Sequence, residues 1–264
     1  MAIDPQILQS YMNDGWVLVP EVITPEEVAT CRELLEGSEV RASTGDYGLR
    51  ADPKVLLMLE IVSALRLRHP HFADVAQNRS LASLAADLMG PWGHEGVVLL
   101  EDRAIIKRVS PDARPTLCHQ AFNTFPIDRA GALTIWIALQ DVEPEMGALW
   151  FLNGSHRFGP VGQIDIFADE PYAHRPDLLP AIREAENSPV PVPAGSALVF
   201  DSFTLHGAGA NTTSSERFAL SFAYLPASTQ FTGKQTAATL GDDMTVGAPF
   251  PPGFFPHFPP LRES

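Results

Sequence analysis

The chain has 264 residues, of which 45% are hydrophobic and 19% charged, so it carries enough apolar material for a sizeable core and too little charge for a disordered chain. Its net charge of −14 repels phosphate backbones and anionic lipid, which argues against nucleic-acid and membrane partners. The 2 cysteines, Cys31 and Cys118, do not make a disulfide framework, no leader-like segment opens the chain, and no apolar run approaches the roughly 20 residues that cross a bilayer, so a soluble, cytoplasmic protein is expected.

Asp4 and Pro5 have the cap-then-proline order of a helix start, followed by Ile7, Leu8 and Tyr11 at helical spacing and Gly15 as a stop. Trp16-Val17-Leu18-Val19 reads as a short strand. Thr24-Pro25-Glu26-Glu27 predicts a second helix with a capping box, running through Val28, Cys31, Leu34 and Leu35 to Gly37. Two more apolar-periodic stretches, 55–67 and 80–88, predict helices, so residues 1–95 read as a mostly helical layer.

From Gly96 onward the texture is that of strands. Val97-Val98-Leu99-Leu100, Ala104-Ile105-Ile106, and the stretches 131–142, 148–152, 196–200 and 218–225 are short apolar or alternating runs, most of them bounded by Gly, Pro, Asn or Asp. Such a series suits a barrel or sandwich. Residues 163–187 interrupt it with charge and proline, and predict an insertion or lid with a short helix at 181–186. The tail, 239–264, mixes Phe250, Phe254, Phe255 and Phe258 with prolines that forbid a regular helix or an inner strand. It is expected to pack over the domain or cover a site mouth.

Two histidines stand out by context. His119 follows a strand and a proline-containing loop, and His206 lies just past the strand 197–200. Arg217 comes eleven residues after His206 at the start of another strand. Facing inward it needs an anion, and a dicarboxylate held by the guanidinium fork would satisfy it.

At this point the chain resembles the phytanoyl-CoA dioxygenase family of iron(II), 2-oxoglutarate-dependent oxygenases. The matching residues are Tyr11-Met12-Asn13-Asp14-Gly15-Trp16, Trp136-Ile137-Ala138-Leu139 with Asp141-Val142, Gly147, Asn153-Gly154-Ser155-His156-Arg157, Ala194-Gly195, His206 and Arg217. They occur in the family's order over residues 11–225. The resemblance implies a mainly β fold with α, a double-stranded β-helix of the jelly-roll type behind the helical layer. It implies one oxygenase domain over 1–264, with a β-helix core at 96–230 and a Pro/Phe-rich tail at 231–264. It further implies Fe(II) on His119 and His206, and 2-oxoglutarate on Arg217, with Lys107 and Trp136 beside it. Thr134, Trp136 and Ala138 share one face of their strand, expected to point inward.

The family's metal motif is His-x-Asp and a distant His, and here Ala121 stands at the Asp position. A methyl group cannot bind a metal, so the triad of two histidines and one carboxylate is incomplete. Three readings follow. The position admits chloride, as in similar iron-dependent halogenases that carry Ala or Gly there; or Ala121 replaces an Asp of a hydroxylating parent; or the fold has become a ligand-binding protein or a non-oxidative enzyme. Asp128 and Asp201 are the nearest carboxylates in sequence that could substitute if a loop folded back. The expected partner is a small-molecule substrate, and oligomeric state is left open.

Plainer readings stand beside these. Arg217 also fits a surface strand next to Glu216, Lys107 a solvated face beside Arg103 and Arg108, and Trp136 plain core. His69, His71, His94, His174 and His257 read as structural or exposed, and His156 as a stabiliser of the turn at Gly154 and Ser155. Gln120, Phe122 and Asn123 are candidates for the substrate side.

Overall fold

The computed structural model describes residues 3–37, 40, 59–162, 175–236, 239 and 244–260. Helix α1 (Pro5–Asp14) is capped by Asp4, whose carboxylate accepts from the Gln6 amide at 2.8 Å, and ends on Gly15 in the left-handed conformation. Strand β1 (Trp16–Val19) follows, then α2 (Pro25–Glu36). The α2 capping box is complete: Thr24 Oγ1 accepts from the Glu27 amide at 3.2 Å, and Glu27 Oε2 from the Thr24 amide at 2.7 Å. Such a cap contributes about 1 kcal/mol.

The helix expected over 55–67 is corrected. Residues 55–58 lie outside the described part, and Leu59–Ser63 is a strand, β2. Its side chains alternate between half-buried and buried with period two, and Glu60 turns inward to meet Arg108 at 2.6 Å. Pairing along β3, with β-branched Ile61 and Val62, outweighs the weak helical spacing. Ala64, in the left-handed region with φ 55°, then breaks the strand. Pro70 does not merely stop a helix but starts one: α3 (Pro70–Ala76) is capped by the His69 ring, and α4 (Arg79–Met89) by Asn78.

The remaining strands are β3 (Val97–Lys107), β4 (Thr116–His119), β5 (Leu133–Ala138), β6 (Leu149–Phe151), β7 (Ala197–Asp201), β8 (His206–Ala208), β9 (Arg217–Pro226) and β10 (His257–Phe258); α5 (Leu179–Glu186) lies between β6 and β7. The two short apolar runs expected at 97–100 and 104–106 are one strand with a bulge between Leu99 and Glu101. The insertion's helix is present as α5, and 163–174 lie outside the described residues.

Two antiparallel sheets face each other as a double-stranded β-helix. The larger runs β1-β7-β5-β9-β3-β10, with β2 also on β3, and the smaller runs β4-β8-β6. Strand alternation sorts the side chains. Leu133, Ile135 and Ile137 of β5, with Phe218, Leu220 and Phe222 of β9, face the helices and close one core with Cys31, Leu35, Leu81 and Leu88. Trp136, Ala138, Leu198, Phe200 and Ala219 face the other way, toward Phe151 and Ala208 of the small sheet. The expected inward face of β5 is therefore the inter-sheet face. The tail packs Phe250 and Phe255 in one cluster with Val98, Leu225 and Ala121, and contributes an edge strand, β10. No helix among the described residues is long and apolar enough to cross a membrane.

Candidate active site

His119 and His206 are direct partners across the β4–β8 ladder, and their ring centroids lie 4.3 Å apart. Each ring is fixed by its own backbone. His119 Nδ1 lies 2.9 Å from the Leu117 carbonyl oxygen, and His206 Nδ1 2.9 Å from that of Thr204. A carbonyl oxygen only accepts, so both Nδ1 atoms carry the proton and both Nε2 atoms keep a lone pair. Burial lowers the pKa of both rings, and for His206 the charge His119 would carry lowers it further. Both are therefore neutral near pH 7, the form that binds metal. Phe200 and Phe151 flank His206, with centroids at 4.5 and 6.0 Å, and keep water from that side.

The other end of the inter-sheet face is basic. Lys107 on β3 and Arg217 on β9 are register partners, 3% and 1% exposed, and neither meets a carboxylate among the described residues. Arg217 donates Nη1 to the Gly147 carbonyl at 2.6 Å and lays its Cζ 5.0 Å from the Trp136 ring centroid, while its Nε has no partner. Lys107 Nζ donates to the Gly209 carbonyl, with the Ala208 carbonyl at 3.5 Å. Burial, then the Arg217 charge, pushes the Lys107 pKa down to about 6; burial takes Arg217 down to about 9. Two buried basic groups without an acid are costly unless an anion joins them.

Ala208 is two residues along β8 from His206, about 7 Å of strand, so the basic end and the histidine pair line one surface. Gly147 makes room at the basic end. Its φ is +75°, and a Cβ there would meet the Gly209 oxygen at 2.5 Å and Lys107 Cδ at 2.8 Å. The solvated-face reading of Lys107 does not hold, because Lys107 is buried with its Nζ on a backbone carbonyl, while Arg103 and Arg108 pair with Glu101 and Glu60. Trp136 is at once core and partner of Arg217.

Ala121 opens a short turn, Ala121–Thr124, directly after His119 and is 8% exposed. Its methyl packs with Phe125, Ile127 and the tail aromatics. Neither alternative carboxylate replaces it. Asp128 is held by Arg129 and the Gln230 amide, and Asp201 accepts from the Phe203 amide. Among the described residues no set of three His, Cys, Asp or Glu side chains converges. Gln120, expected on the substrate side, is instead a buried strut: its amide group bonds Gly159, Phe203 and Val161 backbone atoms. Asn123 donates to the Gly162 carbonyl, and the Phe122 ring lies tilted against Phe203, centroids 4.6 Å apart.

Sequence reading did not single out Phe151, Phe200 or Thr204. For Phe200 the parity of β7 was a usable signal, since it shares a face with Leu198. For Thr204 and Phe151 there was none, because their importance comes from segments that meet only in the fold.

Paired neutral histidines beside a buried basic end, between two antiparallel sheets, make this a jelly-roll fold with polar groups gathered on its inter-sheet face. A family model described as phytanoyl-CoA dioxygenase (PhyH) matches residues 11–219, and the chain belongs to that family. It is similar to the ectoine dioxygenase of Stutzerimonas stutzeri (strain A1501), 24% identical over 236 residues that cover 84% of this chain and 76% of that protein. Among solved structures it is similar to the epimerase SnoN from nogalamycin biosynthesis, in complex with Fe3+, alpha ketoglutarate and nogalamycin RO. The identity is 28%, the TM-score 0.73, and the match covers 96% of this chain and 97% of that one. The fold is also that of the carbocyclase SnoK, at 22% identity and TM-score 0.78, over 97% of this chain and 96% of that one.

Proposed function

We propose that the chain is an iron(II), 2-oxoglutarate-dependent enzyme, working as one unit over its whole length, that functionalises an unactivated C–H bond of a small molecule with a halide. The observation that carries this reading is the juxtaposition of two unprotonated Nε2 atoms with two buried basic groups that lack an acid. His119 and His206 would hold the metal. Arg217 and Lys107 would hold the distal carboxylate of 2-oxoglutarate, with the orphaned Arg217 Nε as a ready donor and Trp136 as a wall. Bound iron and its co-substrate supply the oxidising chemistry; the chain supplies position and a dry surface. In SnoN, the similar protein, Fe3+ and alpha ketoglutarate occur together in one complex, which supports the cofactor assignment.

The halide part rests on Ala121. A metal dication on two neutral histidines lacks the negative charge that a carboxylate would add, and the small side chain at 121 suits a compact anion such as chloride. The test has two parts. Anaerobic titration with iron(II) and 2-oxoglutarate should give a visible charge-transfer band, and its absence overturns the cofactor reading. Chloride turnover should yield chlorinated product, and Ala121→Asp should abolish chlorine incorporation. Hydroxylated product alone from the unaltered chain would sink the halide reading, and hydroxylation gained only in Ala121→Asp would mark the chain as the remnant of a hydroxylase.

A further inference from the structure

We infer that Thr204 is a positioning residue that aims His206, and that it does so by fastening the metal-side strand to the end of the first helix. The inference rests on the reading of His206 as a metal ligand.

The carbonyl that holds the His206 ring belongs to Thr204, so whatever fixes that peptide fixes the ring. Thr204 is fully buried and pinned at both ends. Its Oγ1 donates to the Gly15 carbonyl at 2.7 Å, and its amide donates to the Asp201 carbonyl at 2.9 Å. The Asp201 amide reaches the same Gly15 oxygen at 2.9 Å, which closes a ring of bonds around the turn. Gly15 caps α1 with φ +80°, and a Cβ there would meet Thr204 Oγ1 at 2.6 Å as well as His156 Nδ1.

The next residue is clamped as well. The Leu205 amide donates to Ser155 Oγ at 2.9 Å, and Ser155 Oγ donates to the Leu152 carbonyl at 2.6 Å. The Leu152 amide returns to the Leu205 carbonyl at 2.9 Å. The turn that carries Ser155 is tied to α1 through the Gly154 amide on the Asp14 carbonyl at 2.8 Å and Arg157 Nη2 on the Asn13 carbonyl at 2.5 Å. The stretch Asn153 to Arg157, with Asp14 and Gly15, thus forms the bracket that holds 204–206. By contrast, the Leu117 carbonyl that holds His119 lies in β4, a stretch less fully buried than Thr204, where the register slips. A ligand's outer partners commonly change metal affinity by about 10–100-fold when removed.

The experiment is calorimetric titration of the whole chain with cobalt(II) in the presence of 2-oxoglutarate, alongside thermal melts without metal. Thr204→Val keeps the shape and removes the hydroxyl; cobalt(II) affinity should fall by about 10-fold or more. Thr204→Ser, which keeps the hydroxyl, should restore affinity whatever it does to the melt. Unchanged affinity in folded Thr204→Val overturns the inference, as does a loss that Thr204→Ser does not rescue. Should Thr204→Val fail to fold, Ser155→Ala is read in its place, and unchanged affinity there overturns the inference equally. His206→Ala separates the two levels. If it binds cobalt(II) like the parent chain, the ligand reading itself falls; if it loses binding while Thr204→Val does not, only the positioning role falls.

Discussion

At one end of the inter-sheet surface His119 and His206 are held neutral, each with its Nδ1 proton on a carbonyl two residues back. At the other end Lys107 and Arg217 are buried side by side, with burial pulling both pKa values down and the Arg217 charge lowering that of Lys107 further. The same low-dielectric surroundings therefore act in opposite ways. At the histidine end desolvation favours the neutral imidazoles. At the basic end it works against the folded chain, and a dianion would relieve it. On the proposed reading, one apolar interior would serve a cation at one end and an anion at the other, through the choice of side chain and its backbone partner.

The comparison breaks most visibly at Arg217. Arg217→Ala should weaken 2-oxoglutarate binding by about 2–5 kcal/mol, the usual cost of truncating one partner of a buried charge pair, while cobalt(II) binding without co-substrate stays intact. Arg217→Lys should recover only part of it, because one ammonium cannot reproduce the fork that reaches Gly147 and stacks on Trp136. Equilibrium titration checks both, and equal loss of metal and co-substrate binding would contradict the division into two ends.

Gly147→Ala comes next. The added methyl meets Lys107 and the Gly209 carbonyl at a positive φ, so stability should fall by about 1–3 kcal/mol, with the co-substrate site disturbed more than the metal site. Chemical denaturation together with the same two titrations reads this; a stable variant with unaltered 2-oxoglutarate affinity would show that the crowding is unimportant.

The smallest effect is on pH. Lys107 sits near 6 in the fold against 10.5 ordinarily, so between those values the unfolded chain binds the extra proton. Stability of the ligand-free protein should therefore rise with pH across that window. A bound dicarboxylate holds the lysine charged and should flatten the slope. Thermal melts from pH 7 to 9 test it: Lys107→Met should show a shallower rise than the parent, and identical slopes would refute the assignment.

Much of this was legible from local chemistry. Asp4, Thr24 and Glu27 announced their caps, Gly15 its stop, and the alternation in 131–142 the inward face of Trp136, because each of these signals acts within a few residues. The strand at Leu59–Ser63 was misread because its choice between helix and strand was made by β3, forty residues on, and by Arg108 waiting for Glu60. Gln120 looked like a substrate contact from its place beside His119, but its amide is spent on three backbone partners from two distant loops.

The ordered motifs over residues 11–225 were enough to carry the family resemblance, and through it the expected cofactors and the carboxylate position that Ala121 occupies, since those motifs are local strings of residue types. Tertiary structure decided the rest: that the two imidazoles meet across one ladder, that Lys107 turns toward Arg217 rather than solvent, and that Thr204 and Ser155 bind the first helix to the His206 turn. Those facts depend on strand register and on hydrogen bonds between segments more than a hundred residues apart, such as Thr204 to Gly15, and no local pattern encodes them.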